Sequence, residues 1–370
     1  MRDYGITLSA EQNDKIDKLC ESIRSKIKKE GETPRARYEA VWKGKKPGRI
    51  PVTLNAIGMH SAALMGMAPP DLHKDPGTSL IAYLNHMDRF GYDMLSPSRF
   101  SAGEIEFGGV IGQAEGTIPM LTKGALEDGG IAIDNLKFPD VFKDGTLPWQ
   151  LWFIEAVKEK LGDLIPVFGF TGMPGGTVST LMSLEQLYLK MKKNRPLVHS
   201  IAAIYTKFVT DYSVAMVESG ADAIRFVGND DVLSYKVHKE FEFPYMCGVT
   251  RQLDLLGAQG YIIGAGDWTH VLEGFAQAGV KGFDIISGTP LQGAAEIAVK
   301  YGVTLIYGVD AHLILHGSKD EIRSAVKKAI DEAKTYDGLR FTLSSEALDY
   351  ATPNEKIDWF IEACKEFGRY

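Results

Sequence analysis

Apolar residues recur at helical spacing over residues 9–30, where Ile16, Leu19, Cys20, Ile23 and Ile27 stand among lysines and glutamates. Ser9 is placed to cap this helix and Gly31 to end it. Thr33-Pro34 predicts a second start, a capping residue before a proline at the first helical position, running to the break at Gly44–Gly48. From residue 49 the pattern changes to short β-rich runs alternating with helical stretches, the sign of parallel strands joined by crossover helices. Eight runs stand out: 50–55, 92–97, 166–172, 223–228, 261–266, 282–287, 304–310 and 339–345. The clearest helix between them covers 197–218. Ser318-Lys-Asp-Glu321 reads as a capping box, and Thr352-Pro-Asn-Glu355 opens the last helix.

Eight βα units on one chain favour a (β/α)₈ TIM barrel over a doubly wound sheet. The α/β chain then divides into an N-terminal helical extension, 1–48, shaped like a lid, and a barrel over 49–370. The stretch 98–150 breaks the rhythm with Gly108-Gly109, Gly129-Gly130 and GIAIDNL. It is expected as a loop-and-hairpin insertion after strand two.

Composition narrows the function classes. The 370 residues are 45% hydrophobic, enough for a large core. Lys plus Arg number 41 against 48 for Asp plus Glu, a formal charge of −7, which gives no reason to expect nucleic acid or an anionic membrane as partner. The three cysteines form no CxxC pair or disulfide framework. The polar start lacks a signal-peptide core, and no run approaches a membrane span, so a reduced, cytoplasmic protein is expected.

Barrel chemistry sits where strands end. That rule selects Asn55 after strand one, Arg99 and Glu104 after strand two, Thr171 after strand three and Asp230-Asp231 after strand four. It adds Asp267 and Trp268 after strand five, Asp310 and His312 at the end of strand seven, and Glu346 at the end of strand eight. His60 follows strand one, and Arg225 lies within strand four. Asp310, His312, Asp267 and Glu346 suit general acid–base roles, and the others suit substrate contacts. Each also has a plainer reading: Asp267 as a helix cap, Asp230-Asp231 as a solvated loop, Asp310-Ala-His312 as a loop hydrogen bond, Arg225 as a buried ion pair. Met59, Met65 and Met67 suit either core filling or an apolar ligand wall. The glycine pieces 172–176 and 264–266 complete no nucleotide motif, and HExxH, GxSxG and paired-cysteine motifs are absent from the sequence.

PRARYEAVWKGKKPGRIPV (34–52), ESGADAIRF (218–226), GYIIGAG, the segment 301–328 and TPNEKIDWFIEACKEFG resemble the uroporphyrinogen decarboxylase superfamily, with its corrinoid-linked methyltransferases. The resemblance runs from about residue 34 to the C-terminus and implies the (β/α)₈ barrel. Two departures follow from it. The decarboxylases carry an FSD-type aspartate where Pro97 stands here, and their arginine-rich loop after strand one reads NAIGMHSAALMG. The methyltransferases carry His-x-Cys at strand five and a cysteine after strand eight to hold zinc. Ile263 and Ala265 occupy those strand-five positions, and LSSEALDYATP has no cysteine. A substitute zinc site from Asp267, Asp310 and His312 remains conceivable. The resemblance implies a methyltransferase serving a corrinoid (cobalamin-type) protein, as in O-demethylation of a methoxylated aromatic, with dimerisation common. The alternatives are a decarboxylase or lyase of a small acid or tetrapyrrole, and a non-catalytic ligand-binding barrel.

Overall fold

The computed structural model describes residues 2–55, 58–97, 103–112, 120–127, 130, 132–175, 180–228, 232–286 and 288–370. Its central sheet has seven parallel strands in the order β1-β9-β8-β7-β6-β5-β4. These are β1 (Val52–Asn55), β4 (Phe168–Gly172), β5 (Ala223–Val227), β6 (Gln259–Gly264), β7 (Gly282–Ile285), β8 (Thr304–Val309) and β9 (Arg340–Ala347). A separate antiparallel hairpin, β2 (Val110–Gly112) with β3 (Met120–Lys123), belongs to the insertion.

The run 92–97 forms no full strand, and this corrects the eight-strand expectation. It still closes the barrel: Asp93 N–H donates to Val52 O at 2.7 Å, and Leu95 pairs with Val167 as an isolated parallel bridge. The segment therefore bonds to both edges of the curled sheet, giving a TIM-barrel-like fold. Within the insertion, GIAIDNL is a 3₁₀ turn at Ile133–Asn135 and not a strand.

Local signals place the outer helices. The helix α1 (Ala10–Glu30) is capped by Ser9 with a full capping box through Gln12, and Ser318 and Glu321 form the same device before Lys319–Ala333. Thr33 accepts from Ala36 N–H to start α2 (Pro34–Trp42). The last helix starts at Asn354 with Pro353 at its cap position and no side-chain cap. Among the described residues no helix is long and apolar enough to cross a membrane.

Rather than a lid over the strand ends, α2 is a plug at the opposite, N-terminal end of the barrel. Tyr38 is fully buried with Met94, Phe168, Ala223, Tyr261 and Ile306. Trp42 packs on this cluster, and its Nε1–H donates to Tyr261 Oη at 2.8 Å. Charged residues of the same segment fix it from outside. Asp93 accepts from Arg37 at 2.7 Å, from Arg49 at 2.5 and 2.9 Å, and from Val52 N–H at 2.7 Å. Burial alone would raise the Glu30 carboxyl beside this network, but Lys365, Arg49 and Arg37 bring it down to about 2. Arg35 makes a two-point pair with Asp222 at 2.8 and 2.9 Å.

Candidate active site

Strand alternation turns one side chain in two into the barrel. Above the Tyr38–Phe168–Tyr261 plug, Arg225 of β5 pairs with Asp284 of β7 across β6, both buried. Among the described residues, Arg225 Nε and Asp284 Oδ1 have no hydrogen-bond partner, nor do the hydroxyls of Thr53, Thr342 and Ser344 on the inward positions of β1 and β9. A polar layer thus crosses the barrel. Burial pushes the Asp284 carboxyl above its ordinary value, and the Arg225 guanidinium opposes that push.

A cavity of about 220 Å³ opens above this layer at the C-terminal ends of the strands. Its walls are mostly apolar: Leu54, Met94, Phe170, Val227, Ile263 and Ile286. The polar groups that reach it are Asn55, Ser96, Tyr83, Tyr92 and Arg225. Among the described residues Arg225 is the one charged residue lining it, and Asp284 balances that charge. Gly264 is required at the rim because a Cβ there would collide with the Trp268 ring packed behind it.

The residues selected by the strand-end rule divide. Asn55 and Arg225 line the cavity. Thr171 is buried next to cavity-lining Phe170 but faces the other side of β4, so it does not line the cavity. Trp268 is buried under the rim, its indole N–H on Ala265 O at 2.6 Å. Asp267 stands one residue before the N-cap Trp268 and accepts from Thr269 N–H at 2.9 Å in a local turn; the Thr269 side chain and that backbone bond hold its carboxyl below the ordinary value. Asp310 caps Ala311–His316 by accepting from His312 N–H at 2.7 Å. His312 is exposed, with its ring 4.4 Å from His316. Glu346 accepts from Ala311 N–H at 3.1 Å, and Glu104 is buried within the insertion; neither lines the cavity. Arg99 and Asp230 lie outside the described residues.

His60 is also structural. Its Nδ1 meets His86 Nε2 at 3.0 Å, and its Nε2 meets Thr352 O at 2.9 Å. Burial lowers both imidazoles, His86 strongly. In the folded protein they therefore bind fewer protons than in the unfolded chain below the ordinary histidine value near 6.5. Stability is then full above about pH 6.5 and falls as pH drops below it, by up to about 1.4 kcal/mol per pH unit for each ring. Urea melts between pH 7.5 and 5 should show this slope, and a His60→Asn/His86→Leu variant should flatten it. An unchanged slope would place the proton uptake elsewhere.

Three positions singled out by the sequence comparison lie in this cavity: Pro97, Ile263 and Ala265. Among the described residues no group of three or more His, Cys, Asp or Glu is placed to hold a metal. No His, Cys, Asp or Glu stands among the described residues that line the cavity.

Fold and site together define a (β/α)₈-type barrel with a small, apolar, nearly charge-balanced pocket at its C-terminal mouth. The family profile described as uroporphyrinogen decarboxylase (URO-D) matches residues 33–367, and the chain belongs to that family. A uroporphyrinogen decarboxylase of Xanthomonas euvesicatoria is 26% identical over 79% of this chain and 82% of its own length. One from Tolumonas auensis is 25% identical over 64% of this chain and 68% of its own. Among solved structures, a methyltransferase from Methanosarcina mazei superposes with a TM-score of 0.79 at 21% identity, covering 91% of this chain and 99% of that one. The barrel is therefore that of an enzyme family whose named relatives include carboxy-lyases, with a methyltransferase of the same fold.

Proposed function

We propose that this protein is a corrinoid-dependent methyltransferase taking a methyl group from a small, uncharged donor such as a methoxylated aromatic. The observation that carries this reading is the cavity itself: about 220 Å³, walled by apolar side chains, with the one cation among its described lining residues paired to Asp284. A porphyrinogen with many carboxylates finds no free positive charge among the described lining residues, whereas a methoxyarene matches both size and polarity. The likeness to the Methanosarcina methyltransferase fold agrees with it.

A reduced corrinoid on a partner protein supplies the nucleophile that accepts the methyl group. The chain's own part is to hold the donor and stabilise its leaving oxygen. Phe170, Ile263 and Ile286 bury the ring and exclude water. As the methyl–oxygen bond breaks, the electron pair stays on oxygen, and Arg225 donates a hydrogen bond to the developing phenolate, its pair with Asp284 leaving the guanidinium a donor without net charge to hold a full carboxylate. His312 and Asp310, exposed outside the pocket, are not used in this scheme.

Purified protein mixed with reduced cobalamin, or with a corrinoid protein, and a panel of methoxyarenes, methylamines and methylthiols is expected to convert Co(I) to methyl-Co(III) with the methoxyarenes. Filling the pocket by Ile286→Trp should slow this about 100-fold by displacing the donor. A flat cobalt trace with every donor and both acceptors would overturn the reading. A second reading is favoured by Arg225 at the pocket and by the decarboxylase relatives: cleavage of a small acid. It requires CO₂ release without cobalt, and the Asp284 counter-charge argues against Arg225 as a free carboxylate anchor.

A further inference from the structure

A second cavity, of about 420 Å³, lies at the opposite end of the barrel, beside the α2 plug. Five cationic side chains line it, Lys45, Lys46, Lys334, Arg340 and Arg369, against one acidic side chain among the described residues, Asp337, and the α-carboxylate of Tyr370. In a chain with a formal charge of −7 this is a strong local reversal of sign.

The ordinary role for such cations is to satisfy helix C-termini or to pair with surface acids. Lys334 does the first, donating to Phe367 O and Arg369 O at 2.8 Å each. The other four side chains make neither an ion pair nor a hydrogen bond among the described residues. Glu366 lies near Arg369 but gives both its oxygens to Arg323, at 2.9 and 3.0 Å. Arg340 starts β9 half-buried, its guanidinium beside Gly44 and Gly302 and without an acceptor. The ammonium groups of Lys46 and Lys334 stand 5.6 and 5.4 Å from the centroid of one ring, that of Tyr370. These charges repel one another, and a concave site concentrates their field. Bridging oxygens of an anion would convert that repulsion into charge-assisted hydrogen bonds.

We propose that this cavity binds a small, multiply charged oxyanion of the phosphate class, at a site separate from the C-terminal pocket. Arg340 supplies the fixed fork at the base, and Lys46 closes over the ligand from the loop after α2. Three charges or more on the ligand suit the site better than one, because no single oxygen reaches all the donors.

Calorimetric titration of the full chain with inorganic phosphate, pyrophosphate and citrate tests this directly. Pyrophosphate is expected to bind one per chain and more tightly than phosphate, with affinity falling as salt rises. Arg340→Gln and Lys46→Gln should each weaken it about tenfold, the loss of one charge-assisted hydrogen bond, while thermal melts of the free proteins stay close to the parent. Citrate binding as tightly as pyrophosphate, and equally sensitive to both substitutions, would assign the site to polycarboxylates and overturn the phosphate class. No saturable binding at millimolar pyrophosphate, or binding untouched by either substitution, would overturn the site itself. None of these outcomes depends on methyl transfer at the other end of the barrel.

Discussion

Replacing Asp93 by alanine is expected to destabilise the fold by about 3–5 kcal/mol, the range for removing one member of a buried charge network. Asp93 is 1% exposed and accepts from two arginines and the Val52 amide. Without it, the Arg37 and Arg49 guanidiniums stay buried with less compensation, and the first strand loses an anchor next to the barrel's weakest seam. Asp93→Asn keeps the volume and should recover only part of the loss, because an amide cannot balance two cations. Urea unfolding of both variants measures this. A cost under about 1 kcal/mol for alanine, the level of a surface pair, would show that Glu30 and Glu32 satisfy the arginines without it.

The second large effect concerns Arg225 and Asp284. Asp284→Leu strands a guanidinium inside the barrel and is expected to cost about 3–5 kcal/mol. Adding Arg225→Met removes the stranded charge, so the double variant should regain most of that stability, since an apolar pair of similar volume often matches a buried ion pair. Methyl transfer should not return with it, because the group stabilising the leaving oxygen is gone. Denaturant melts and the cobalt assay on the three variants separate the outcomes. Additive losses in the double variant would mean the two residues are held by other partners. Full activity in a stable double variant would remove Arg225 from the reaction.

These two pairs show how much of the molecule could be read from its sequence. Cap residues at Ser9, Thr33 and Ser318, and the alternation of β-rich runs with helices, are local signals, and the structure follows them closely. The run 92–97 looks like any other strand because its apolar content is the same. Its reduction to a bridge comes from tertiary geometry at the barrel seam. The arginines of PRARYEAVWKGKKPGRIPV, a stretch that carries the family resemblance, hold the plug and the seam together and do not face the pocket: Arg35 on Asp222, Arg37 and Arg49 on Asp93.

For the site, the strand-end rule has a built-in ambiguity. In a βα unit the residue after the strand is also the residue before a helix, and Asp serves equally well as a catalytic acid or an N-cap. Asp310 is an N-cap, and Asp267 bonds to the Thr269 amide in the turn just before its helix. The strand-end rule misses Asp284, which lies inside a strand rather than at its end. A usable signal was present nonetheless: GFDIIS and AIRFVG each carry one charge in an otherwise apolar run, of opposite sign. A buried charge needs a counter-charge, so the two runs predict each other. The aromatic and aliphatic walls, Phe170 and Ile286 among them, carry no such mark, since apolar residues on either face of a strand look alike.

The plug at the base of the barrel has a consequence for how the chain reaches its native state during synthesis. Trp42 and Tyr38 leave the ribosome early, yet their partners are Phe168 and Tyr261, and the hydrogen bond from Trp42 to Tyr261 spans 219 positions. Lys365 closes on Glu30 later still, across 335 positions. The helix α2 therefore cannot dock on a finished surface as it emerges. It waits, with its aromatic face unburied, until most of the chain has been made. Contacts of such sequence separation slow folding through the entropy of closing long loops. The segment that seals the barrel is made before the strands it seals and is among the last to be buried, and over that interval it is open to chaperones or to aggregation.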